Sequence, residues 1–179
     1  MDYNITGIPA VKKYNMWIDK EFKTVYMQSP VKGLRLHFQK GVNADLRKEC
    51  VNFCKWLRKN FWFPIRVNLY ILECENFYSN KDSVKTDIAV FYYQKTWDEK
   101  ERTEKVFPRV CIATGKYGKQ LKRHGYKKTI RNYLVFIAHE LTHYYQWFFY
   151  EFAKRTNRSI EYEATRWAHW LVNEFEDEL

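Results

Sequence analysis

The chain has 179 residues and a formal net charge of +10, with 46% hydrophobic and 19% aromatic residues. That length suits one domain that can bury a core without disulfide or metal staples, and the composition excludes intrinsic disorder. No apolar run approaches the length of a bilayer span, and "MDYNITGIPAVKK" lacks a basic segment followed by an apolar core, so a cytoplasmic protein with no membrane partner is expected.

The expected organisation is one domain over 1–179, with 1–30 as an N-terminal extension. "LRLHF" (34–38) alternates apolar and polar residues, which predicts a strand. A helix follows, with Asn43 as N-cap and Leu46, Cys50, Phe53, Cys54 and Leu57 at helical spacing. "PIRVNLYILEC" places Ile65, Val67, Leu69 and Ile71 on one face of a second strand. "TDIAVFYYQ" predicts a third strand and "VFPRVCIAT" a fourth, with Pro108 favouring an edge or a bulge there. From about Thr129 the apolar positions Ile130, Leu134, Ile137, Ala138, Leu141, Tyr145 and Phe148 keep a helical period to about Phe152. After "AKRTNRS", Ser159 is the expected N-cap of a last helix running to about Phe175, with Ile160, Ala164, Trp167 and Leu171 as its apolar stripe. Strands and a helix followed by two helices make an α+β pattern.

The four cysteines, Cys50, Cys54, Cys74 and Cys111, form no C-x-x-C pair. They read as core thiols rather than as disulfides or a metal site. Charge is unevenly spread. Residues 159–179 hold six acids and only Arg166, whereas "GKYGKQLKRHGYKKTIR" (115–131) has no acid. That stretch would suit nucleic acid or an acidic partner, or it is a solvated basic loop.

"HELTH" (139–143) carries the chemistry. His139 and His143 are four residues apart, so they project from one helical face and can both reach one zinc ion. Glu140 is turned by about 100° from His139, where it can act as base toward a zinc-bound water. A catalytic zinc needs a third protein ligand. A third histidine at the H-E-x-x-H-x-x-G-x-x-H position is ruled out, because Gln146 and Phe149 stand there. Glu161, Glu163 and His169 on the last helix remain. His169 lies opposite the apolar stripe and should face solvent, while Glu161 and Glu163 flank the stripe, and a helical wheel does not separate them.

"HELTH" followed by "EYEATRWAHWLV" resembles the gluzincin-type zinc metallopeptidases, most of all the minimal ImmA/IrrE-like family, over about residues 130–172. The resemblance implies a zincin-like fold, a Zn2+ cofactor and hydrolysis of peptide bonds in a protein or peptide substrate. It implies His139, His143 and Glu163 as ligands, since Glu163 precedes Ala164 as the family's ligand glutamate precedes alanine, and Glu140 as general base. It also implies that a substrate strand pairs with a sheet edge beside the active helix, for which "VFPRVCIAT" is the candidate. The chain departs from the pattern at Thr142, where glycine is common, and at Trp167, where larger gluzincins have an aspartate. "HELTH" is also similar to the motif of SprT-like proteases, which act on proteins bound to DNA, and with the basic stretch this gives a second reading. In a third reading the domain is a non-enzymatic metal-binding or protein-binding module.

Overall fold

The computed structural model describes residues 23–26, 30–78, 86–93 and 107–179, so most of the expected N-terminal extension lies outside the described residues. The architecture is α+β. Five strands make one mixed sheet: β1 (Lys23–Tyr26), β2 (Leu34–Phe38), β3 (Val67–Leu72), β6 (Ala89–Tyr92) and β7 (Arg109–Ala113). Their order is β1-β2-β3-β7-β6, with β4 (Phe77–Tyr78) and β5 (Thr86–Asp87) forming a separate small ladder. The helices are α1 (Ala44–Asn60), α2 (Tyr117–His124), α3 (Tyr126–Phe148) and α4 (Asn157–Asp177).

β2, β3 and β7 run parallel, and β1 and β6 lie antiparallel at the two sides. β3 and β7 are buried on both faces, as interior parallel strands are. Alternation sorts their side chains. Val67, Leu69, Ile71, Val110 and Ile112 face the helices and share the main core with Leu34, Leu36, Phe53 and Leu141. Tyr70, Leu72, Cys111 and Ala113 build a smaller cluster with Phe77 on the other face.

The interior place of β7 corrects the edge position expected from Pro108. Pro108 stands just before the first paired residue, so its missing N–H falls outside the ladder, while its carbonyl accepts from Asn68 N at 3.1 Å. The strand at the sheet's side next to α3 is β6.

Helix ends follow local chemistry. Asn43 Oδ1 accepts from Asp45 N at 2.9 Å and Leu46 N at 3.2 Å and so caps α1, an interaction of about 1 kcal/mol. The stretch 115–131 is helical rather than a loop: α2 breaks at Gly125, whose φ of 77° is left-handed, and α3 begins at once. α3 is pinned to the sheet by Tyr144, whose hydroxyl donates to Ile65 O at 2.7 Å and accepts from Ile65 N at 3.1 Å.

α3 and α4 form an antiparallel hairpin. Arg131 near the start of α3 ion-pairs with Glu176 near the end of α4 and donates to Asn173 Oδ1 at 2.6 Å. The connector runs through Tyr150, which holds a left-handed φ of 59°, and a 3-10 turn at Glu151–Ala153. α4 starts one turn earlier than Ser159 suggests, because Thr156 Oγ1 accepts from Ser159 N at 3.3 Å. Its buried stripe is Ile160, Ala164, Ala168, Leu171, Val172 and Phe175, whereas Trp167 is exposed and packs edge-on against Trp170.

On the face of the sheet away from the helices, His37 is buried, stacks on Tyr70 with centroids 4.5 Å apart, and hydrogen-bonds Asn68 Oδ1 at 3.3 Å. Burial lowers its pKa to about 4. The unfolded chain takes up a proton near the ordinary imidazole value of about 6.5, and the folded chain resists it, so this residue's contribution to stability falls as pH drops from about 6.5 to 4. The loss is at most about 3 kcal/mol. Urea unfolding at stepped pH is expected to show a shallower acid slope in His37→Gln than in the wild type. Parallel slopes over that window would show that folded His37 takes up its proton as the unfolded chain does.

Candidate metal centre

α3 and α4 bring three ligating groups together. His139 Nε2 and His143 Nε2 are 3.0 Å apart. Glu161 Oε2 lies 3.2 Å from His139 Nε2, and Glu161 Oε1 lies 3.4 Å from His143 Nε2. Four ligands at about 2.0–2.1 Å around a tetrahedral zinc are about 3.3 Å from one another. The two nitrogens, and each nitrogen with the carboxylate oxygen nearest it, are separated by close to that edge length, so the residues present fit such an ion. His139, His143 and Glu161 are the one such group of histidine, cysteine and acidic side chains among the described residues. Burial, reinforced by the neighbouring His143, lowers the His139 pKa and so keeps its lone pair available, with Glu161 opposing.

The structure therefore brings Glu161 to the histidines and places Glu163 elsewhere. Two residues along a helix turn by about 200°, so the two glutamates leave α4 on nearly opposite sides. Glu163 Oε2 accepts from Gln146 Nε2 at 2.8 Å and from Arg155 Nη1 at 2.6 Å. The Gln146 bond first, and Arg155 with it, holds the Glu163 carboxyl below the usual carboxylate range. His169 is exposed, as its place on the wheel predicts.

Glu140 is only 8% exposed and borders the cluster. Burial, with the charges of Glu161 and Asp87, pushes its pKa up to about 8, while a hydrogen bond from the Phe91 backbone N–H opposes the rise. A dication held by His139, His143 and Glu161 would favour the ionised carboxylate and reverse much of that shift.

These groups open onto a cleft of about 570 Å3 whose opposite wall is β6, with Ala89, Val90 and Phe91. Ala113 N donates to Ile88 O at 2.8 Å, so antiparallel alternation pairs residues 88, 90 and 92 with β7 and directs the backbone groups of Ala89 and Phe91 outward. The strand at the sheet's side that lines the cleft is thus β6 rather than "VFPRVCIAT". Asp87, Tyr93 and Asn157 also line the cleft, and no motif in the sequence marks them.

Other candidate groups lie apart. Cys50, Cys54 and Cys111 are buried free thiols, and burial raises their pKa values, to about 12 for Cys50 and Cys111. Tyr144 is spent on Ile65, the Tyr145 hydroxyl donates to Trp62 O at 2.8 Å, and exposed Tyr162 lies beside Arg166. None of these lines the cleft. Lys122, Arg123, Lys127 and Lys128 are exposed on α2 and the start of α3, and Lys128 lies about 16 Å along the helix from His139 at 1.5 Å per residue. No described helix is long and apolar enough to cross a membrane. No family model matches the chain, and no curated protein or solved structure matches it either.

Proposed function

We propose that the protein is a zinc-dependent metallopeptidase, with His139, His143 and Glu161 as ligands and Glu140 as general base. The observation that carries this reading is the spacing of the two imidazole nitrogens, 3.0 Å apart, and of the two Glu161 oxygens, 3.2 and 3.4 Å from the nearer nitrogen, in the lining of an open cleft. Bound zinc supplies the Lewis acid that activates water and polarises the scissile carbonyl.

The chain's own residues do the rest. Glu140 takes the proton of the attacking water and delivers it to the leaving amine. The Phe91 N–H orients the Glu140 carboxylate and couples it to the edge strand. The outward N–H and C=O of Ala89 and the C=O of Phe91, whose N–H already serves Glu140, suit an extended peptide added as a further strand, which lays its carbonyl along the cluster. A polypeptide substrate accounts for both the base and the strand edge.

Purified protein is expected to take up one zinc at neutral pH and to cleave members of a quenched-fluorescent peptide library. Chelation should stop cleavage and added zinc restore it. A chain that takes up no zinc at neutral pH is not this enzyme.

A further inference from the structure

Behind the cluster a chain of hydrogen bonds leads from His143 through Gln146 to Glu163 and Arg155. His143 Nδ1 is 2.7 Å from Gln146 Oε1. Gln146 Nε2 donates to Ile160 O at 3.1 Å and to Glu163 Oε2 at 2.8 Å. Arg155 Nη1 donates to the same Glu163 oxygen at 2.6 Å, and Arg155 also holds Ser159 O at 3.1 Å. Gln146 is 4% exposed, so its amide has to be satisfied by these partners.

The chemistry of the partners fixes the direction of the amide. A backbone carbonyl and an ionised carboxylate can only accept. The end of Gln146 that meets both must therefore be the NH2 group. Turning the amide over would set its oxygen against two other oxygens and leave both donors misplaced. The end that meets His143 is then the carbonyl oxygen, which needs a proton from Nδ1. A neutral imidazole with its proton on Nδ1 has its lone pair on Nε2, the atom that faces His139 and Glu161.

We propose that Gln146 and Glu163, anchored by Arg155, are positioning residues that lock His143 in the Nδ1–H tautomer and turn its Nε2 lone pair into the candidate metal centre. That Nε2 is a metal ligand rests on the proposed function; the tautomer itself does not. The lowered pKa of Glu163 agrees with its place as a permanent acceptor at the end of the chain. Gln146 thereby supplies the outer partner that a ligating histidine needs, in a helix that carries no acid near that position. The residue that a motif comparison assigns as a ligand acts here two bonds away from the cluster.

The test reads the tautomer directly, in metal-free protein, by long-range 1H–15N correlation of the histidine rings in alkaline buffer. Wild-type His143 is expected in the Nδ1–H form. Gln146→Met, close in volume and without an acceptor at that place, should shift it toward the Nε2–H form and weaken zinc binding by about 10- to 100-fold in a chelator competition. Glu163→Leu should move the tautomer in the same direction as Gln146→Met, and it decides the matter if Gln146→Met does not fold. An Nε2–H form in the wild type, or an unchanged tautomer in folded Gln146→Met or Glu163→Leu, overturns the proposal. If the wild type binds no zinc but the tautomer still follows Gln146 and Glu163, the positioning chain stands and the peptidase reading falls.

Discussion

Glu140→Gln is expected to retain zinc and to lose peptide hydrolysis by about 10²- to 10⁴-fold, the range that a positioned proton-transfer group contributes. The candidate ligand atoms belong to His139, His143 and Glu161, so the amide leaves them in place. It also keeps an acceptor for the Phe91 N–H, so what is lost is the capacity to carry a proton. Metal analysis and peptide cleavage on the same preparation check both halves. Loss of zinc together with activity would place Glu140 among the ligands, and full activity would remove it from the mechanism.

The same substitution has a pH signature in chelated protein. Without a cation, burial raises the Glu140 pKa to about 8. The unfolded chain loses this proton near the ordinary carboxyl value of 4.5, while the folded chain keeps it until about 8. The contribution of the protonated group to stability is thus fully present below about 4.5 and lost as pH rises to about 8. Glu140→Gln cannot ionise, so the variant should gain on the wild type as pH rises through that window. The gain is on the order of 5 kcal/mol, or roughly 10–20 °C in Tm for a chain of this size. A constant difference between the two melting curves from pH 5 to 8 would show that the carboxyl is ionised in the folded apoprotein.

Glu161→Gln is expected to weaken zinc binding by more than about 100-fold, because it removes the one anionic ligand and the charge that draws a dication to two neutral imidazoles. Glu163→Gln should cost less than about 10-fold, since its amide oxygen can still accept from Gln146. Competition against a chromophoric chelator measures both. The contrast is sharp because the two residues are separated by a single position on α4 yet touch different partners: Glu161 meets His139 and His143, and Glu163 meets Gln146 and Arg155. The opposite ranking would return the ligand role to Glu163, as the family resemblance implies.

Much of the framework is legible in the chain because burial on one side leaves a periodic trace. The helix from Asn43 follows from that trace, while β2 and β3, largely buried on both faces, are legible instead as short apolar runs that begin and end at turns. α2 leaves almost none, since Tyr117 is its only buried residue and the rest is basic surface. The place of β7 depends on what flanks it, which a proline at its start does not reveal. The histidine pair and Glu140 are legible because one helix turn sets their geometry. The third acid is not, because periodicity reports how α4 divides into buried and exposed sides, and both glutamates border the buried side. Their choice depends on how α4 rolls against α3, which Gln146, Arg155 and Ile160 settle by contacts across the hairpin. Gln146 itself is three residues beyond His143 on the same face, a spacing that would have pointed to it.

The connector between α3 and α4 has a consequence of its own. It runs from Phe149 to Thr156, bends at the left-handed Tyr150 and ends on the Thr156 cap. An added or removed residue that the connector did not absorb would rotate α4 by about 100° relative to the histidines, or slide it by about 1.5 Å. Surface connectors ordinarily accept insertions at little thermodynamic cost. Here an unabsorbed change in length would carry Glu161 away from the cluster and Glu163 away from Gln146 together. A stretch that contributes no ligand and no base thus helps decide where both glutamates of α4 come to rest.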